Sequence, residues 1–307
     1  MKIFLIFARK FQKESYSYPI GIMSLAAILR RNEYNDIKLF DMAIDSMEFI
    51  IESCLKDKPD LVGLSSDSIS FENGTKLVKK IQERYKKTIY VLGGVHPTIA
   101  PEEALRELGA DIAVIGEGEV SFLELVKKID KGEDYIDVNG IAYLREDKFF
   151  ENRPRDFINN LDDIPFPARN LLPMEKYLNV PPDIPMLYPA MTIMAGRGCR
   201  SNCIYCQPIC RKLFGSKMRV RSVGNVIEEI EFLRMNYRFR TLCFIDDEFF
   251  YNGVPWIEEL CSSILDKKIK IRWTCIGRVD HIEAKLIKKM KRGRMFFNSF
   301  WSRIRLR

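Results

Sequence analysis

The sequence predicts an α/β protein, with an N-terminal Rossmann-like doubly wound parallel sheet followed by an incomplete (β/α) barrel. Three observations carry this expectation. Short apolar runs alternate with amphipathic helical patterns from the first residues to about residue 130. A proline-rich stretch then interrupts the alternation, with eight of the 14 prolines falling in residues 154–189. From Met191 the alternation resumes for about three further units. Repeated strand–helix units imply parallel pairing through right-handed crossovers. The chain therefore divides into residues 1–135, a connector with a small hairpin at 136–190, a partial barrel at 191–292 and an aberrant basic tail at 293–307.

In the first unit, residues 3–8, 37–42, 61–65, 89–93 and 112–115 are short and rich in Ile, Val, Leu and Phe. They read as strands buried on both faces. Helical patterns occupy 20–31, 47–56, 74–85, 102–107 and 120–129, the third with Leu77, Val78 and Ile81 on its dry side. Ligands of such sheets bind beyond the carboxyl ends of the strands. Here the third strand ends in Ser65-Ser66, the fourth in Gly93-Gly94-Val95-His96-Pro97-Thr98 and the fifth in Gly116-Glu117-Gly118-Glu119. Tight turns occur at these places in any parallel fold; three together on one edge point to a ligand crevice. His96, before Pro97, is expected to be a hydrogen-bonded structural residue.

Residues 141–145 and 148–151 flank Glu146-Asp147 as a hairpin, and Phe166, Leu171, Leu172 and Tyr177 anchor the connector. In the second unit a strand at Met191 leads to the cysteine loop; helices are expected at 223–237, 256–265 and 282–290, and strands at 241–245 and 269–276. The second strand ends in Asp246-Asp247-Glu248 and the third in Gly277-Arg278. In a barrel these ends share one mouth with the cysteine loop.

That loop reads Gly196-Arg197-Gly198-Cys199-Arg200-Ser201-Asn202-Cys203-Ile204-Tyr205-Cys206, a C-x-x-x-C-x-x-C spacing. Three thiolates so close together suit an iron–sulfur cluster or zinc. Zinc needs a fourth ligand, for which Cys210 is the candidate, but no second C-x-x-C pair or H-x-x-x-H follows. Cys54, Cys243, Cys261 and Cys275 lie in apolar patterns and read as core residues.

The composition is that of an ordinary globular chain, 47% hydrophobic and 30% charged. No apolar run approaches a membrane span, and the opening strand is too short and wrongly flanked for a signal peptide. The expected setting is cytoplasmic, with reduced thiols. The net charge of +7 is a tail property: nine Lys and Arg follow Glu283, leaving −2 for the rest. A nucleic-acid face is therefore not expected.

The cysteine spacing, the aromatic Tyr205 before the last cysteine and the Gly-x-Gly lead-in resemble the radical S-adenosylmethionine enzymes. The resemblance implies a 4Fe–4S cluster on Cys199, Cys203 and Cys206, with S-adenosylmethionine chelating the fourth iron. It implies reductive cleavage to a 5′-deoxyadenosyl radical, and an electron donor such as ferredoxin or flavodoxin. It places Tyr205, Asp246, Asp247, Glu248 and Arg278 near S-adenosylmethionine; capping and ion pairing are the competing roles for the last four. The first unit resembles the cobalamin-binding domains that precede such barrels, through Pro19-Ile20-Gly21, Gly-Gly-x-His-Pro-Thr and Gly-Glu-Gly-Glu. This implies a cobalamin site at Ser65, Ser66, Gly93, Gly94, Gly116, Glu117 and Gly118, although some relatives carry the domain without the cofactor. The loop after the first strand lacks the D-x-H-x-x-G of histidine-ligating cobalamin proteins, so a histidine beneath the cobalt is not expected. Methyl transfer is one outcome such cofactors support. A noncatalytic cofactor-binding fragment and a zinc-stabilised binding module are the rivals.

Radical S-adenosylmethionine barrels have more units than the three expected here. From Gly293 the sequence departs from the family's pattern, and a one-base shift of frame would restore a similar string. The expectation is a frameshifted or truncated member that cannot complete the reaction.

Overall fold

The computed structural model describes residues 1–9, 18–178, 189–201, 203, 209–281 and 284–295. Five parallel strands open the chain: β1 (Ile3–Ala8), β2 (Ile37–Asp41), β3 (Leu61–Ser66), β4 (Ile89–Gly93) and β5 (Ile112–Val114). They lie in the order β2-β1-β3-β4-β5, and the antiparallel hairpin β6 (Ile141–Arg145) and β7 (Lys148–Glu151) extends the sheet beyond β5. Successive side chains of a strand point to opposite faces. Ile3 and Leu5 accordingly enter one core cluster, while Phe4 and Ile6 enter another. Helices α1 (Ile20–Arg31) and α6 (Gly118–Asp130) cover the first face. Helices α2 (Met47–Asp57), α3 (Phe71–Gln82) and α5 (Pro101–Leu108) cover the second. A five-residue helix α4 (Val95–Ile99) occupies the segment expected to be a turn.

The hairpin sits where the sequence places it, but it belongs to the first sheet rather than to the connector. Ile112 pairs with Tyr143, and the Tyr143 ring stacks on Phe150 at 5.3 Å. This closes the otherwise open edge of β5.

The connector contains short 3-10 turns and α7 (Met174–Leu178), and its expected anchors are in place. Leu172 and Tyr177 are buried. Tyr177 stacks on Tyr18 at 5.1 Å and donates to Asp41 Oδ2 at 2.7 Å; Tyr18 donates to the Ala190 carbonyl at 2.6 Å. The two sheets are thereby joined through one continuous apolar core, which runs from α1 and α6 through Leu172 to Met191, Leu242 and Trp273.

The second sheet is parallel, in the order β12-β11-β8, from β8 (Ala190–Ile193), β11 (Thr241–Phe244) and β12 (Arg272–Cys275). Between β8 and its helix lies a ribbon, β9 (Gly196–Arg197) paired antiparallel with β10 (Arg219–Val220), with α8 (Ile209–Phe214) between them. Helices α9 (Val223–Asn236), α10 (Val254–Asp266) and α11 (Ala284–Arg292) complete three β–α units among the described residues. Gly293 opens the expected aberrant basic tail; its carbonyl accepts from Trp273 Nε1 at 2.7 Å, and Met295 forms a parallel bridge to Trp273 beside β12. The rest of that expected tail lies outside the described residues.

Candidate cofactor-binding cleft

The cysteine loop leaves the ribbon and is fixed at its root by a buried carboxylate. Asp246, two residues beyond β11, accepts from the Ala195 amide at 2.8 Å and from the Gly196 amide, both on Oδ1. Gly196 is packed so closely that a Cβ would stand 2.6 Å from Asn252 Oδ1. Gly198 has φ +99°, and a Cβ there would meet the Lys217 carbonyl at 2.6 Å. This explains the Gly-x-Gly lead-in: both positions exclude a side chain, one by space alone and the other by conformation as well.

Cys199 and Cys203 are half-exposed free thiols. Arg278 Nη1 lies 3.0 Å from Cys203 Sγ, and the same guanidinium pairs with Asp280 at 2.6 Å. Arg278 thus reaches the cysteine loop from the end of β12. Cys206 and Tyr205 lie outside the described residues. Cys210, expected in a polar loop, is in the first turn of α8 and donates to Asp247 Oδ1 at 3.6 Å.

The acidic triplet divides into three roles. Both oxygens of Glu248 are taken by backbone, Oε1 by Phe250 N–H at 3.2 Å and Oε2 by Arg278 N–H at 2.6 Å. Asp247 lines the cleft, with its pKa raised by burial. Asp246 is 2% exposed, and burial pushes its pKa up to about 7 against the lowering effect of the Gly196 and Ala195 amides. A folded-state pKa raised from 3.8 means that the folded chain holds the proton across that window. The associated stabilisation is present at low pH and is lost as pH rises through about 7. Asp246→Asn should remove this dependence. The stability of wild type relative to the variant should then fall by about 2 kcal/mol between pH 5.5 and 8 in paired urea titrations. A difference independent of pH would show that Asp246 is ionised throughout.

A cavity of about 350 Å³ opens at the strand ends of the first sheet. Ser65, Gly93, Gly94, Gly116, Glu117 and Gly118 line it from the first unit; Gly196, Arg197, Ile245 and Asp247 line it from the second. Gly94 has φ +94°, and a Cβ there would stand 2.7 Å from the Ser66 carbonyl, so the wall is bare backbone. Ser66 itself is buried and stands behind this wall. Of the two histidines, neither lines the cavity. His96 Nδ1 is 3.1 Å from Ser68 Oγ and its ring lies 4.1 Å from Phe71, the structural role the sequence suggests.

Glu117 lines the cleft, but its carboxylate is already engaged. Oε1 pairs with Arg197 Nη1 at 3.0 Å; Oε2 takes Arg219 Nη1 at 2.8 Å and the Ile158 amide at 3.0 Å. Glu119 pairs with the other Arg197 nitrogen at 2.5 Å. Burial opposes ionisation of Glu119, and the Arg197 charge outweighs it, holding that carboxyl below the usual range. A second buried set lies under β8, where Glu229 receives both Arg169 at 2.7 Å and Arg221 at 2.5 Å. Neither set is visible from the sequence; its only trace is charge placed among glycines or within apolar patterns.

Comparison with known proteins gives these features a context. Residues 12–126 match the family model of the B12 binding domain. An uncharacterised methyltransferase of Pyrococcus horikoshii is 33% identical over 280 residues, which is 90% of this chain and 58% of the relative. An anaerobic magnesium-protoporphyrin IX monomethyl ester cyclase of Rubrivivax gelatinosus is 28% identical, over 86% of this chain and 47% of the relative. The chain thus spans about half the length of these relatives. Among solved structures, the radical S-adenosylmethionine methyltransferase TsrM of Kitasatospora setae superposes with TM-score 0.78 at 16% identity, over 95% of this chain and 57% of that one. The cobalamin-dependent S-adenosylmethionine radical enzyme OxsB superposes with TM-score 0.79 at 21% identity, over 95% and 41%. No described helix is long and apolar enough to cross a membrane. Residues 12–126 therefore resemble the B12 binding domain, and the chain as a whole shares its fold with these two solved structures.

Proposed function

We propose that this chain carries cobalamin in the cleft and a 4Fe–4S cluster with S-adenosylmethionine on the cysteine loop, for cobalamin-dependent methyl transfer or related C–H chemistry. The observation that carries the reading is the shared cleft. Glycine turns after β4 and β5 and the root of the cysteine loop line one cavity. The donor chemistry fits as well, because thiols at Cys199 and Cys203 suit iron, and a backbone wall at Gly94 suits a large flat ligand. Cys199, Cys203 and Cys206 would hold the cluster, whose fourth iron is left to S-adenosylmethionine. When bound, these groups supply a low-potential electron, a 5′-deoxyadenosyl radical and a methyl carrier. The protein's own part is placement. Asp246 pins the loop root, and Arg278 donates to the Cys203 sulfur; such hydrogen bonds are among the factors that set cluster potential. Asp247 offers a carboxylate to a cationic group in the cleft. The expected setting is cytoplasmic, with a ferredoxin or flavodoxin as donor.

Titration of the full chain with aquacobalamin tests the cobalamin half. Gly94→Val should weaken binding by about tenfold or more, or 1.4 kcal/mol, since its Cβ meets the Ser66 carbonyl. His96→Ala should leave the spectrum and affinity unchanged, because that ring is held by Ser68 and Phe71. A spectral change on binding that disappears in His96→Ala would show histidine ligation and sink this mode of binding.

A further inference from the structure

We propose that Glu119 and Glu117 are positioning residues for the cysteine loop, holding Arg197 so that a filled cleft and a loaded loop favour one another. The inference rests on the functional reading above. Its starting point is the ribbon. β9 and β10 are two residues long each, and Arg197 stands directly opposite Arg219 across them. So short a ribbon is marginal by itself, and like charges in register oppose its formation. Both arginine side chains are 5% exposed, so water does not screen the repulsion. The neutralising charge comes from the other unit, where Glu117 bridges both guanidiniums and Glu119 takes the second arm of Arg197.

Geometry then links the two sites. Glu117 ends the turn between β5 and α6 and Glu119 lies in the first turn of α6, and residues 116–119 wall the cleft. Arg197 lies two residues before Cys199, and the ribbon it forms closes the base of the loop. A guanidinium held by two carboxylates in a fork has one orientation. Buried ion pairs add little net stability over apolar packing, so what this cluster contributes is direction. A ligand that fixes the Gly116–Gly118 wall therefore also fixes the loop root. The effect is reciprocal, since coupling between binding equilibria acts equally in both directions.

The test is equilibrium dialysis of the full chain against aquacobalamin, with the chain either anaerobically reconstituted with iron and sulfide or left iron-free. The parent should bind aquacobalamin at least about fivefold more tightly when iron-loaded, the lower end of usual coupling. In Glu119→Gln both groups should still bind, and the ratio should fall toward one. Arg197→Lys keeps the charge but loses the fork, and should lower the ratio too; it serves if Glu119→Gln does not fold. A ratio of one in the parent, or the parent ratio retained in both variants, overturns the proposal. If the parent takes up neither cobalamin nor iron, the functional reading falls and this inference with it.

Discussion

Cys199→Ala and Cys203→Ala should each leave the chain with less than about a tenth of the parent's iron after anaerobic reconstitution, while Cys210→Ala should keep it. A tenfold loss corresponds to about 1.4 kcal/mol, far less than thiolate ligation of iron supplies. The two thiols are half-exposed on a loop whose root is fixed by Asp246, and Cys203 receives a hydrogen bond from Arg278. Cys210 lies in the first turn of α8, where its thiol donates to Asp247 Oδ1. The sequence spacing predicts the same loss for Cys206→Ala. Iron content and visible absorption are the measurements. Loss of iron in Cys210→Ala with retention in Cys199→Ala would assign the metal to a different ligand set. One zinc per colourless chain would favour a structural metal site instead.

Much of this architecture is legible in the sequence, because the first sheet is buried on both faces. Its strands therefore read as apolar runs, and helix α1 falls where the pattern places it. The start of α3 does not. The sequence suggests Gly74 as its first residue, yet the helix begins at Phe71. Gly74 lies inside because a Cβ there would stand 2.8 Å from Leu64 and 2.9 Å from Ala8, so the glycine marks close helix–sheet packing. Helix α4 was hidden by Pro97, which is tolerated because the first turn of a helix needs no partner for that amide. The hairpin shows locally, but its sheet does not, since pairing of Tyr143 with Ile112 is a long-range fact. Glu117 is the most instructive residue. Its Gly-Glu-Gly-Glu setting suggests a cofactor contact, and the residue does line the cleft. Its carboxylate, however, is engaged by Arg197, 80 positions away. Local pattern reveals that a turn is bare enough to approach a ligand. It does not reveal which charge has crossed from another element to meet it.

Glu229→Ala should destabilise the fold by about 3–5 kcal/mol, a large share of the roughly 5–15 kcal/mol that holds a domain folded. Arg169 and Glu229 are each 1% exposed, and Arg221 is 11% exposed. Removing the carboxylate leaves two buried guanidiniums without the counter-charge they share. Water cannot solvate them there, and unlike a buried carboxylic acid an arginine does not escape by losing its proton. The damage should also reach the site. Arg169 Nη2 donates to the Thr192 carbonyl at 2.8 Å and Arg221 Nη1 to the Met194 carbonyl at 2.9 Å, so both brace the end of β8 where the cysteine loop departs. Glu229→Gln keeps the shape and one acceptor for the arginines, and its loss should be smaller. Glu102→Ala is the control, because the Arg106–Glu102 pair is exposed on α5 and its removal should leave stability nearly unchanged. Urea midpoints of the three variants, with iron content after reconstitution, decide the matter. If Glu229→Ala unfolds no earlier than Glu102→Ala, the buried arginines have found other partners and the cluster under β8 is not what holds that strand end in place.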